Sequence, residues 1–180
     1  MTQAKKRVGV LISGRGSNLQ ALIDAQAEPG YPARIVRVIS NVSDVHGLER
    51  AKRAGIPTAV ISHRDHPDRP SFEAALDAQL KADEVEIVCL AGFMRVLTDG
   101  FVAAWDGRLI NIHPSLLPLF KGLHTHERAL KEGVRFAGCT VHFVVPEMDS
   151  GPIIVQAAVP VLPGDTPESL AGRVLEQEHV

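Results

Sequence analysis

Residues 7–26 read RVGVLISGRGSNLQALIDAQ, and this stretch decides which class of fold the chain adopts. Its first seven residues form an apolar run, which is typical of a β-strand covered on both faces. Gly14 and Gly16 follow, and apolar residues then recur at helical spacing. The stretch therefore predicts a strand, a tight glycine turn and a helix, with Ser17 or Asn18 as the N-cap of that helix.

The same alternation continues along the first two thirds of the chain. Phe72, Leu76 and Leu80 lie on one predicted helical stripe. Alternating strands and helices are typical of a single α/β domain whose mostly parallel strands are joined by right-handed crossovers. The further predicted strands are ARIVRVISN, PTAVIS, EIVCLAGF and RLINIHP, and the helices between them are VHGLERAKRAG, SFEAALDAQLKAD and TDGFVAAW.

After Pro118 the alternation changes to a hairpin-like addition. A short helix, HERALKEG, precedes two apolar strands, CTVHFVVPE and PIIVQAAVPV, which are separated by the turn MDSGP. A last helix opens with Thr166 as its N-cap and Pro167 at its first position. Ser169 stands where a capping box has Glu or Gln, so the sequence predicts an incomplete box. We expect mixed strand directions in this C-terminal part.

Composition excludes several classes of function. Hydrophobic residues make up 45% of the chain and charged residues 22%, as in a folded globular protein. A formal net charge of -2 and 4% aromatic residues argue against nucleic-acid binding. Neither a signal peptide nor an apolar stretch of the roughly 20 residues that span a bilayer is visible. We therefore expect a cytoplasmic protein without nucleic-acid or membrane partners.

The glycine turn SGRGSNLQ has the composition of an anion site. Gly14 and Gly16 allow close backbone approach, and the helix start supplies unpaired N–H groups. The turn does not match a dinucleotide fingerprint, because Leu19 takes the third glycine position and Asn41, not an acidic residue, closes the second strand. It also lacks the Gly-Lys-Ser/Thr of a P-loop. Anion binding and an ordinary tight turn both remain open.

The strand RLINIHP ends in two polar side chains. Asn111 and His113 share one face of the strand, and Pro114 keeps His113 extended. An amide can donate to a developing oxyanion, and an imidazole can also move a proton. Asp149, in the turn MDSGP, is the best carboxylate to fix the imidazole. The alternative is a strand-end histidine and an ordinary turn aspartate.

Other polar and apolar groups have weaker signals. His124, His126 and His142 with Asp149 could hold a metal, but no metal-binding motif is present, so we predict none. The run GFMRVL could form an apolar slot or an ordinary part of the core. Arg69, in HPDRP, is most simply a solvated loop charge unless a ligand reaches it.

Taken together, these segments resemble the phosphoribosylglycinamide formyltransferases, the folate-dependent enzymes of purine synthesis. NIHPSLLP marks the wider formyltransferase superfamily, and SGRGSNLQ and GLHTH narrow it to this branch. The resemblance covers nearly the whole chain. The matching segments are VLISGRGSNLQALIDA, SNVSDVHGLERAKRAGIPT, VCLAGFMRVLT, GRLINIHPSLLP, GLHTHERAL, GCTVHFV, MDSGPII and QEHV.

The resemblance implies a reaction and roles in it. The amine of glycinamide ribonucleotide would attack the formyl carbon of 10-formyltetrahydrofolate, the co-substrate, and no metal would take part. Asn111 and protonated His113 would stabilise the oxyanion, and Asp149 would orient His113 and order a water that relays the proton. The implied binding residues are Gly16, Ser17 and Asn18 for the phosphate, Glu178 near the ribose, and Arg69, Met94, Arg95, Val96, Leu97 and Asn111 for the folate.

The resemblance also implies the architecture and the partners. Residues 1–180 would form one formyltransferase domain, with a Rossmann-like, mostly parallel central sheet flanked by helices and mixed strands in the C-terminal part. Members usually continue past the QEH motif, so we expect a C-terminal tail to be missing here. The partners would be the two small-molecule substrates, and the protein would be a monomer or a homodimer.

Three rival functions remain. A formyltetrahydrofolate deformylase would use water as the acceptor but normally carries an N-terminal regulatory domain. A methionyl-tRNA formyltransferase would need an additional RNA-binding domain and a basic surface. A non-catalytic nucleotide-binding module would explain the glycine turn but not the combination of Asn111, His113 and Asp149.

Overall fold

The structure, a computed structural model, describes residues 4–180. Two compact units follow one another along the chain, the first ending at Leu109 and the second beginning at Ile110. The elements that end in the first unit are β1 (Lys6–Ile12), α1 (Ser17–Gln26), β2 (Ala33–Ser40), α2 (His46–Arg53), β3 (Thr58–Val60), α3 (Arg69–Ala82), β4 (Ile87–Leu90) and α4 (Asp99–Ala104). The later elements are β5 (Leu109–His113), α5 (Thr125–Glu132), β6 (Phe136–Phe143), β7 (Ile153–Pro160) and α6 (Pro167–Glu178).

The strands of the first unit are parallel, as the alternating pattern predicts. They lie in the order β3-β2-β1-β4. Val10 of β1 is opposite Val38 of β2 on one side and Cys89 of β4 on the other. Because the strands are parallel, their C-terminal ends lie at the same edge of the sheet. The loops that follow β1, β2 and β4 all leave from that edge.

The hydrophobic core of the first unit follows the predicted pattern. Val10 and Ile12 of β1 and Val38 of β2 have no exposed surface. Leu76 and Leu80, on the predicted stripe of α3, are also fully buried. Burial of a side chain of this size stabilises the fold by about 1.5–3 kcal/mol, which holds the strand ends in fixed positions.

The second unit contains the antiparallel addition expected after Pro118. Strand β6 lies between β5 and β7 and is antiparallel to both. In this register, Asn111 of β5 is directly opposite His142 of β6, and His113 is opposite Thr140. Antiparallel partners directly opposite one another have neighbouring side chains, so the register brings the Asn111 and His142 side chains together.

Two helix starts differ from the predictions. The N-cap of α1 is Gly16, with a φ of 70°, and no side chain caps the helix, so the prediction of Ser17 or Asn18 is wrong. The capping box of α6 is complete, because the Ser169 hydroxyl accepts from the N–H of Thr166 at 2.9 Å while the Thr166 hydroxyl accepts from the N–H of Ser169 at 3.3 Å. A short hydroxyl thus replaces the longer Glu or Gln of the usual box.

Two further features complete the description of the chain. The Leu117–Pro118 peptide bond is cis. Within residues 4–180, no helix combines the length and the hydrophobicity that crossing a bilayer would require.

Candidate active site

Asn111 and His113 lie at the end of β5, on the same side of the strand. The His113 side chain is 8% exposed, and its Nδ1 lies 3.5 Å from Oδ2 of Asp149. Its Nε2 lies 3.0 Å from the carbonyl oxygen of Phe120. Both ring nitrogens thus face acceptors, so a doubly protonated ring can donate on both sides.

Asp149 occupies the turn between β6 and β7, where its backbone is left-handed with a φ of 49°. Its carboxylate is 11% exposed. Oδ2 accepts from the backbone N–H of Gly122 at 2.8 Å, so the loop that follows β5 fixes the carboxylate from a second direction. The second unit thus brings together the side chains of Asn111, His113 and Asp149, the three residues selected from the sequence.

His142 joins the same cluster, whereas the sequence pointed to this residue only as a possible metal ligand. Its ring is 2% exposed, with Nε2 3.2 Å from Nδ2 of Asn111 and 3.8 Å from Oδ1 of Asp149. Its Nδ1 lies 2.9 Å from the carbonyl oxygen of Phe143. A polar residue within the apolar strand CTVHFV was the one signal that could have drawn attention to it.

Glu178, the expected ribose contact, is the last residue of α6 and is half-buried. It interacts electrostatically with His126 of α5. Burial lowers the pKa of His126, and this effect outweighs the opposing attraction of Glu178. Within the described residues, Nε2 of His126 is buried and has no hydrogen-bond partner. This end of α6 therefore combines an acidic group with a neutral imidazole.

The glycine turn belongs to the first unit and is shaped by a close approach of two backbones. A Cβ on Gly16 would lie 2.6 Å from Cα of Gly47 in α2, a distance that only glycine at position 16 avoids. Gly47 also donates its N–H to the carbonyl oxygen of Gly14 at 3.0 Å. Ser17 and Asn18 form the first turn of α1, where N–H groups and the helix dipole favour an anion.

Asn41 and Ser13 form a second polar group at the ends of β2 and β1. The Ser13 hydroxyl donates to Oδ1 of Asn41 at 2.5 Å and accepts from the N–H of Met94 at 2.8 Å. Nδ2 of Asn41 lies 3.3 Å from Nδ1 of His63. This chain of bonds ties the start of the glycine turn to the loop that follows β4.

The residues expected to bind folate differ in how far their side chains are exposed. Met94 and Val96 are 71% and 55% exposed, whereas Leu97 is 8% exposed and belongs to the core. Arg69 is the first residue of α3, not a loop residue as predicted, because Asp68 caps the helix by accepting from the N–H of Ser71 at 2.8 Å. Its side chain is nevertheless exposed.

Within the described chain, residues 4–180, no group of three or more His, Cys, Asp and Glu residues is arranged to hold a metal ion.

The predicted site residues fall into two sets, one in each unit. The second unit holds Asn111, His113, Asp149 and Glu178, and the first holds Gly16, Ser17, Asn18, Arg69 and the run from Met94 to Leu97. The residues in the first unit can bind an anion and an apolar ring, and those in the second unit can stabilise an oxyanion and move a proton.

Comparisons with known proteins agree with this chemistry. The sequence profile of the formyl transferase family matches residues 6–180. The phosphoribosylglycinamide formyltransferase of Escherichia coli K12 is 47% identical over 170 residues, which are 94% of this chain and 80% of that protein. The human trifunctional purine biosynthetic protein adenosine-3 is 56% identical over 175 residues, which are 97% of this chain.

The trifunctional relatives are much longer than this chain. The matched segment makes up 17% of the human protein and 13% of the Drosophila pseudoobscura protein, which is 58% identical. The segment therefore corresponds to one part of those proteins.

A solved structure has the same fold. Glycinamide ribonucleotide transformylase 1 from Symbiobacterium toebii superimposes with a TM-score of 0.95 at 51% identity, covering 97% of this chain and 82% of that one. The predicted fold class, an α/β formyltransferase domain with mostly parallel strands and antiparallel strands at its C-terminal end, is confirmed. The chain belongs to the formyl transferase family and, within it, to the phosphoribosylglycinamide formyltransferases.

Proposed function

We propose that this chain transfers the formyl group of 10-formyltetrahydrofolate to the amine of glycinamide ribonucleotide, a step of purine biosynthesis. The observation that carries the proposal is the cluster of Asn111, His113 and Asp149, with 3.5 Å between His113 Nδ1 and Asp149 Oδ2. Bacterial relatives whose names specify this transformylase activity support the choice of the acceptor substrate.

The reaction needs an oxyanion stabilised and a proton moved. The amine nitrogen attacks the formyl carbon, and the carbonyl oxygen becomes an oxyanion. Asn111 donates an N–H to it, and the positive charge of protonated His113, on the same side of β5, stabilises it. The bond between the carbon and N10 of the folate then breaks, while the amine loses a proton and N10 gains one.

Asp149 acts on this reaction through His113 and through solvent. Its Oδ2 is held by the Gly122 N–H, so the carboxylate stays beside Nδ1 of His113 while the ring gains or loses a proton. The carboxylate also orders a water that passes the proton from the amine towards N10. Asp149 thus keeps the charged imidazole in a fixed orientation near the oxyanion.

The first unit supplies binding. Ser17 and Asn18, together with the Gly16 backbone, receive the ribonucleotide phosphate at the start of α1. Met94 and Val96 provide exposed apolar surface for the pterin, backbone groups around Arg95 and Leu97 orient it, and Arg69 is available for the carboxylate tail of folate. In the second unit, Glu178 contacts the ribose.

The test is an assay with both substrates. The protein is incubated with glycinamide ribonucleotide and 10-formyltetrahydrofolate, and release of the deformylated folate is followed. We expect release only when the ribonucleotide is present. Equal release without the acceptor would identify a deformylase, and no release, with both compounds bound, would identify a binding module.

A further inference from the structure

We propose that His142 is a positioning residue that acts, as the neutral Nδ1–H tautomer, by fixing the orientation of the Asn111 amide. This inference rests on the proposed function, since the amide is the oxyanion donor of that reaction. His142 does not itself reach the reacting atoms in this account. It decides which end of the Asn111 amide faces away from β6.

The tautomer of His142 follows from its neighbours. Nδ1 lies 2.9 Å from the carbonyl oxygen of Phe143, and a carbonyl oxygen only accepts, so Nδ1 carries the hydrogen. The ring is 2% exposed, so its two nitrogens are matched by protein groups and not by solvent. In the neutral ring Nε2 then carries a lone pair and accepts.

The amide of Asn111 has one orientation that suits this lone pair. Its NH2 group lies 3.2 Å from Nε2 of His142 and donates to it. Turned by 180°, the amide would bring Oδ1 against the lone pair, which is repulsive. The strand register holds the two residues directly opposite each other, so neither can move away. The second N–H of the amide is therefore held in one direction, available to the oxyanion.

Asp149 is the charged group that faces the His142 ring, with Oδ1 3.8 Å from Nε2, beyond hydrogen-bond range. Asn111 is the other polar side chain in contact with Nε2. A second proton on the ring would turn Nε2 into a donor. That donor would select Oδ1 of Asn111 and reverse the amide, removing its N–H from the oxyanion.

Two substitutions separate this role from simple packing. His142→Gln places an amide oxygen near the position of Nε2, so it keeps an acceptor for Asn111. His142→Leu fills a similar volume without an acceptor. We expect His142→Leu to lower kcat by about 10–100-fold, with KM for both substrates little changed, because misdirected donors cost this much. We expect His142→Gln to recover most of that loss.

The decisive readout is a double-mutant cycle with Asn111→Ala. Without the amide there is nothing to orient, so in that background His142→Leu should change kcat by less than about twofold. Val159→Ala is the matched control, since Val159 is 4% exposed in β7 and contributes only to packing. It should lower the melting temperature but leave kcat unchanged in both backgrounds. If His142→Leu lowers kcat equally with and without Asn111, the inference is overturned.

A spectroscopic measurement tests the tautomer independently of activity. Ring 15N NMR of the wild-type protein, with His142 assigned from the signal that His142→Gln removes, should show a protonated Nδ1 and a bare Nε2 at neutral pH. A protonated Nε2 would overturn the inference. If the wild type transfers no formyl group, the proposed function fails while this spectrum still decides the orientation, so the two failures are distinguishable. Circular dichroism checks that each variant folds, and the spectrum decides if His142→Leu does not.

Discussion

Asparagine side chains at two strand ends of this protein face imidazole rings in nearly the same way. Nδ2 of Asn41 lies 3.3 Å from Nδ1 of His63 in the first unit, and Nδ2 of Asn111 lies 3.2 Å from Nε2 of His142 in the second. Sequence alone does not separate the two pairs. Their surroundings do, and the difference shows what an amide needs before it can take part in catalysis.

The Asn41 amide is satisfied at both of its ends. Oδ1 accepts the Ser13 hydroxyl at 2.5 Å, and the residue is 4% exposed. Among the described residues, His63 forms no ion pair with a carboxylate. The Asn111 amide has instead a second imidazole, His113, on its own strand and the Asp149 carboxylate beside both rings. We infer that the Asn41–His63 pair joins loops, and that in the Asn111–His142 pair the amide takes part in the reaction while the imidazole orients it.

The largest expected effect concerns His113, the imidazole next to Asn111 on β5. His113→Ala should lower kcat by about a hundredfold or more, because it removes the positive charge that stabilises the oxyanion. His63→Ala is the control, since it removes the imidazole from the other amide and should change kcat by less than about threefold. Steady-state assays with both substrates measure this. Near-normal turnover in His113→Ala would show that the role assignment is wrong.

The next effect tests the first unit as a rigid frame for binding. Gly16→Ala forces a residue with a φ of +70° to carry a Cβ 2.6 Å from the Gly47 backbone, so the free energy of unfolding should fall by about 2–3 kcal/mol. Gly14→Ala is the matched control, because a Cβ there meets nothing within 4 Å. Urea unfolding measures both. Equal stability of the two variants would mean that the turn adapts.

A smaller effect concerns charge in the first unit. Arg37 forms a two-pronged pair with Asp83, at 2.7 and 2.8 Å, and these hydrogen bonds lower the pKa of Asp83. Because the folded pKa lies below the unfolded value of about 3.9, the contribution to stability is present above that pH and is lost as the pH falls through the folded pKa. Asp83→Asn should therefore lower the free energy of unfolding by roughly 1 kcal/mol at pH 7.

The matched control for Asp83→Asn is Glu49→Gln, which breaks an exposed pair with Lys52 at 3.2 Å and should change stability by less than about 0.5 kcal/mol. Urea unfolding of both variants from pH 7 down to pH 3 tests the sign. The difference between Asp83→Asn and the wild type should shrink on acidification. A difference that grows as the pH falls would contradict the assignment.

Much of the first unit could be predicted because its signals are local. The apolar runs and the stripe through Leu76 and Leu80 specify parallel strands and their helices without reference to distant residues. The start of α3 at Arg69 was missed because Pro70 at a first-turn position and the Asp68 cap extend the helix beyond its apolar pattern.

The second unit shows where local signals stop. Asn111, His113 and Asp149 were selected by residue type and turn position, but the contact between Asn111 and His142 depends on the register between β5 and β6. A shift of one residue would send His142 to the other face, and nothing in the apolar pattern of either strand fixes that shift. The role of Ser13 was missed for the same reason, since its partners come from β2 and from the loop after β4.

The most direct test of the contrast between the two amides is a pair of matched substitutions, Asn41→Ala and Asn111→Ala, each measured for kcat and for the free energy of unfolding. Asn111→Ala should lose about a hundredfold in kcat. Asn41→Ala should instead lose about 1–3 kcal/mol of stability, with kcat nearly unchanged, because it leaves the half-buried partners of the amide, Ser13 and His63, without their hydrogen bonds. A wild-type kcat in Asn111→Ala, or an equal loss of kcat in Asn41→Ala, would contradict the account.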